Sequence, residues 1–247
     1  MEKVLYVLWR PTTEAPDAWR DELVGPVGEA LLARGAHRVE ADVADGTVDG
    51  AVMLITAHPP LPGAVLGVWV DSAVDDRRAP LDAVVAGATP RWGALLVTES
   101  VPLVPPDGAG GRRGGRRRRR RGPAAGRTPG YAQVAFLRVP AGLGRDEWAA
   151  RWLGGQTSVA IATQATFGYA QHLVARTLVP LPQWPPVDAV VEELFPLEAL
   201  GDLHAFFGSG GDDGELRRRM EAMAASTSTF IDDADLDVLP TSRFVLA

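Results

Sequence analysis

Apolar and polar positions along the chain change period in one order, and that order occurs twice. Residues 4–9 form a short apolar run suited to a pleated surface. Trp19, Leu23, Val27 and Leu31 then recur every fourth position, with Asp17 placed to cap a helix and Gly35 to stop it. Val39, Ala41 and Val43 alternate with Arg38, Glu40 and Asp42, which predicts a half-buried strand. Residues 65–70 read as an apolar strand, 76–86 as a helix carrying Leu81, Val84 and Val85, and 95–101 as a strand. The second half runs strand 134–139, helix 146–164, strand 167–178, strand 190–195, helices 197–207 and 215–230, and a strand at 236–246. Each half is β-α-β-β-α-β, the ferredoxin-like order.

The two halves align at low stringency. A shift of 129 positions places Trp19 on Trp148 and Leu23 on Trp152, and a shift of 125 places Ala64-Val65 on Ala189-Val190. The expected organisation is a unit at 1–104, a linker at 105–130 and a second unit at 131–247. The expected class is α+β: two ferredoxin-like units whose sheets pair within one chain to close a dimeric-type α+β barrel. Closure inside the chain makes homodimerisation optional. Val39, Ala41, Val43, Val65, Val68, Leu95, Val97, Leu137, Val174, Val190 and Leu194 are expected in the interior.

Charge changes the picture at the linker. Nine of the 24 arginines lie between positions 112 and 127, and without them 16 basic residues face 31 acidic ones. Like charges repel and nothing apolar is present to bury, so the linker reads as a disordered tether. No aromatic interleaves the arginines to stack on bases. The acidic remainder also argues against nucleic acid as a partner. The uncharged stretches 51–70 and 152–175 contain prolines or glycines, glutamines and histidine, so no membrane span is expected. The opening apolar run is too short for a signal h-region. With no cysteine, disulfides and thiolate chemistry are excluded and a cytoplasmic setting is expected.

Candidate chemistry is sparse. No Gly-x-Ser-x-Gly occurs, and the only lysine, Lys3, excludes a P-loop. His37, His58, His172 and His204 are scattered without metal spacing, so neither a metal nor another cofactor is expected. Alternation in strand 167–178 sends Tyr169 and Gln171 to one face and Ala170 and His172 to the other. His172, on the non-helix face, is the candidate acid/base. Glu192 and Glu193 fall on opposite strand faces and do not read as a catalytic pair.

The run Asp146-Glu147-Trp148-Ala149-Ala150-Arg151-Trp152-Leu153-Gly154-Gly155-Gln156, with Gly168-Tyr169-Ala170-Gln171-His172 and Phe230-Ile231-Asp232, resembles the EthD family of dimeric α+β-barrel proteins. The resemblance spans the second half; the first retains Trp19 and Leu23. It implies a link to small-molecule degradation or polyketide-type metabolism. Wider relatives include cofactor-free oxygenases, lactone isomerases, cyclases, decarboxylases and haem enzymes. Gln156 stands where the family usually has histidine, and Val27 at the equivalent place in the first half. Glutamine hydrogen-bonds but does not shuttle protons at neutral pH. The expected function is therefore binding of a small, largely apolar molecule, with Trp152 and Phe167 as apolar walls and Gln156, Tyr169 and His172 as polar contacts. Tyr169 and His172 do not share a sheet face, and His172 is the one expected in the pocket, because a barrel leaves room on the non-helix face. The alternative is a cofactor-free isomerase, lyase or oxygenase using His172. Association with nucleic acid through the arginine run ranks third.

Overall fold

The computed structural model describes residues 1–105 and 126–246. The first half contains β1 (Glu2–Leu8), α1 (Pro16–Glu22), a π-helical turn (Leu23–Val27), α2 (Gly28–Ala33), β2 (Arg38–Val43), β3 (Ala64–Val70), α3 (Asp75–Ala88) and β4 (Trp92–Leu103). A two-residue strand, β5 (Gly126–Arg127), precedes the second half. That half contains β6 (Tyr131–Leu137), α4 (Arg145–Ala150), a second π-helical turn (Arg151–Gln156), α5 (Thr157–Thr163), β7 (Gly168–Val179) and β8 (Ala189–Phe195). It continues with α6 (Leu203–Phe207), α7 (Asp213–Thr227) and β9 (Asp237–Val245). Among the described residues, no helix is long and apolar enough to cross a membrane.

The strands form one antiparallel sheet in the order β2-β3-β1-β4-β7-β8-β6-β9. Pairing of β2 with β9 closes these eight strands into a barrel. Each half contributes four strands in the same relative order, with its helices outside. The apolar residues expected in the interior are all buried. The linker expectation falls mainly on residues 106–125, outside the described ones. Its last part needs correction: Gly126 and Arg127 pair with Val245 and Phe244 as a short strand.

Two local expectations are also corrected. Asp17 does not cap α1. The cap position is Ala15, and Asp17 sits in the first turn, where it accepts from the Gly46 amide at 3.0 Å. Strand β2 is buried on both faces, because closure turns Glu40 and Asp42 into the barrel, where they are 3% and 5% exposed.

One part of the barrel interior is apolar. Phe136 and Trp9 meet the Trp184 ring edge-on, at 5.1 and 5.5 Å between centroids. Elsewhere the inward side chains are charged. Lys3 lies 2.6 Å from Glu99, 2.7 Å from His172 and 4.1 Å above the Trp69 ring. Arg243 pairs with Glu40 at 2.8 Å and with Glu192 at 2.5 Å. Burial, with Glu192 nearby, pushes the Asp42 carboxyl well above the usual carboxylate range. Removing one partner of such a cluster strands the others in low dielectric. Arg243→Met should therefore lose about 3–5 kcal/mol of stability, read as a lower urea midpoint. An unchanged midpoint would show that the pairing carries little.

Candidate functional site

The two helix-covered faces of the barrel differ. In the first half, Val39, Val68 and Val4 lie in register across β2, β3 and β1. With Val27 at the end of the π-helical turn they join a continuous apolar core containing Trp19, Leu23 and Leu31. In the second half the same register on β7, β8 and β6 carries Tyr169, Glu193 and Gln133. The end of the second π-helical turn carries Gln156. Four valine positions of one half are thus Tyr, Glu, Gln and Gln in the other.

A cavity of about 250 Å³ lies over that polar row. Its floor is the sheet, with Gln133, Ala135, Tyr169, Val191, Glu193 and Val238. Its helical side includes Trp152, Gln156, Phe206, Phe207, Met223 and Phe230. Gln164, just after α5, also lines it. Met53 and Ile55, from the segment between β2 and β3 of the first half, complete the lining. That segment is held by Gln133 donating to the Met53 carbonyl at 3.0 Å and by bridging between Ile55 and Val238.

Local sequence explains how Gln156 reaches the cavity. Pro26 lies inside the first π-helical turn, and Gly154-Gly155 inside the second. Proline removes a helical donor and clashes with the preceding turn, and glycine is a weak helix former, so both sites favour a widened turn. The widened turn ends on Val27 in one half and on Gln156 in the other.

The cavity is mostly apolar, and three of the side chains lining it carry unpartnered oxygens. Gln156 is 4% exposed. Its Nε2 donates to the Met223 sulfur at 3.3 Å. A thioether only accepts, which fixes the amide orientation. The Oε1 atoms of Gln156, Gln164 and Glu193 have no hydrogen-bond partner among the described residues. Burial without a neighbouring cation pushes the Glu193 carboxyl up to about 8. Burial, with Glu193 beside it, likewise raises the Tyr169 phenol. At pH 7 Glu193 is a neutral acid.

Trp152, Gln156 and Tyr169 line this cavity, which reverses the sequence preference for His172 over Tyr169. His172 and Phe167 do not join them. His172 faces the barrel interior, as its strand parity requires, but that interior is filled. Its Nδ1 lies 3.2 Å from the Val190 carbonyl and its Nε2 faces the Lys3 ammonium, so the ring is held between a donor and an acceptor. Burial, and then the Lys3 charge, lower its pKa and keep it neutral. Phe167 is half-buried before β7, with its ring near Gly130. Glu193 was missed. Opposite faces for Glu192 and Glu193 is correct, since Glu192 joins Arg243 inside the barrel, but that argument discarded each carboxylate singly. The usable signal was the 125-residue shift, which places Glu193 on Val68.

A carboxyl whose folded pKa is raised binds more protons in the native state than when unfolded. Its neutral form is accommodated at low pH, and stability is lost as pH rises from about 4.3, the unfolded value, through about 8. Glu193→Gln should match the parent at pH 4 and gain on it by about 1.4 kcal/mol per pH unit across that window. Parallel stability–pH curves for the two proteins would contradict the assignment.

No family model matches the chain, and no curated protein does. Three solved structures share its overall shape at low identity. One is described as an anthrone oxidase-like protein: 12% identical, covering 100% of this chain and 91% of that one, with a TM-score of 0.49. A candidate monooxygenase from Lactobacillus acidophilus NCFM is 8% identical over 98% of this chain and 93% of that one, TM-score 0.46. Another from Fusobacterium nucleatum is 8% identical over 100% and 92%, TM-score 0.46.

Proposed function

We propose that the chain binds a small, largely apolar molecule in the cavity of its second half, as an EthD-like protein accessory to small-molecule degradation or polyketide-type metabolism. One observation carries the reading. The positions that are valine and solidly packed in the first half are Tyr169, Glu193, Gln133 and Gln156 around a cavity of about 250 Å³ in the second. Leaving buried acceptors free costs about 1–3 kcal/mol each. A fold able to pack valines there has no structural need of them. The matching strand order and register of the halves also support an internal duplication, with one copy kept as scaffold.

A second reading, a cofactor-free isomerase, lyase or oxygenase, is favoured by the proton that Glu193 holds inside an apolar cavity. In that reading Glu193, not His172, is the acid/base. Turnover of a lactone, phenol or polyketide-like substrate should then fall by about 100-fold in Glu193→Gln and be nearly unaffected in His172→Gln.

The binding reading is tested by thermal shift and calorimetry with small naphthalene and indole compounds. At least one should bind with one-to-one stoichiometry. Ala135→Phe, which fills the cavity from β6, should fold and lose that binding. Equal binding by Ala135→Phe, or no binding across the panel, would defeat it.

A further inference from the structure

The lining chemistry narrows the ligand, given that the cavity is a small-molecule site. Among its buried polar atoms, the Oε1 atoms of Gln156 and Gln164 are unpartnered acceptors, and Glu193 is an unpartnered carboxyl that becomes an acceptor pair once it gives up its proton. Its ionisable carboxyls are Glu193 and, at the edge, exposed Asp233; among the described residues no Lys, Arg or His lines it. Five aromatic side chains, Trp152, Tyr169, Phe206, Phe207 and Phe230, complete it. Aromatic faces are electronegative and attract cations. An anionic ligand would meet two carboxyls with no counter-charge. A hydroxyl group brings one donor. An ammonium group brings three donors and a positive charge, the complement of what the walls present.

We propose that the cavity is an amine site: it takes a small molecule with an apolar, aromatic or alkyl, body and a protonated amino group, with Glu193 as the counter-ion and the free carbonyls of Gln156 and Gln164 as acceptors. The proton balance follows. The amine enters as its ammonium form. Glu193, which holds its proton in the free protein at pH 7, ionises and releases that proton to the buffer. No covalent bond is made or broken. Binding therefore releases close to one proton per ligand near neutral pH.

Three isosteric probes separate the charge classes: 2-(1-naphthyl)ethylamine, 2-(1-naphthyl)ethanol and 1-naphthaleneacetate. Calorimetry at pH 7 on the full chain, in buffers of different ionisation enthalpy, gives affinity and proton release together. The amine should bind about tenfold or more tighter than the alcohol, about 1.4 kcal/mol or more, and the acetate most weakly. Amine binding should release close to one proton and alcohol binding none. Glu193→Gln should bring the amine down to about the alcohol's affinity and abolish the proton release. Proton release by the parent protein tests the same claim if that variant does not fold. An alcohol or acetate that binds as tightly as the amine, or amine binding without proton release, overturns the amine site and leaves the cavity reading standing. Failure of all three probes to bind at millimolar concentration overturns both.

Discussion

Closure of the barrel across two seams is the constraint on which the rest depends. Strand β4 pairs with β7, and β2 with β9, so each half supplies edges that the other covers. Closure removes exposed strand edges and buries most inward side chains. Each seam carries an inward pair of ionisable side chains in register: Glu99 opposite His172 on one, Asp42 opposite Arg243 on the other. A one-residue slip would turn either set to the opposite face and leave its partners unpaired. The charges thus tie the register of the two halves together, while the apolar part around Trp9, Phe136 and Trp184 supplies the burial energy.

With the barrel interior filled, the cavity lies between sheet and helices. The first half closes that space with valines beneath Trp19, Leu23 and Val27. The second half leaves it open, and the first half lends Met53 and Ile55 to its lining. Division of labour follows from side-chain identity at shared backbone positions. The first half packs these positions with valines, and the second carries unpartnered polar groups there.

Much of this was legible beforehand. Period-two and period-four patterns located the eight barrel strands and the main helices, because apolar spacing reports which face is buried. Trp152 and Gln156 were legible as pocket candidates because their helix lies over a sheet face, whereas Tyr169 was ranked behind His172 on the premise that a barrel leaves room on its non-helix face. The placement of His172 failed at a different level. Its face was right, but sequence does not show that Lys3, 169 positions away, fills the space in front of it. Glu193 was hidden because it was weighed only as half of a pair with Glu192, and its register partners Tyr169 and Gln133 become visible only once the strands are paired. Met53 and Ile55 lie in a Pro-rich passage without periodicity, so their reach across to β9 had no local signature.

The central claim is that the second-half cavity, and not the barrel interior or an outer face, receives the small molecule. The four methionines make this directly measurable. Met53 and Met223 line the cavity; Met1 and Met220 do not. Methyl-labelled methionine can be followed by nuclear magnetic resonance while a naphthyl probe is added. The account predicts saturable shifts at Met53 and Met223, with Met1 and Met220 unmoved. Shifts confined to Met220, or equal shifts at all four, would contradict it.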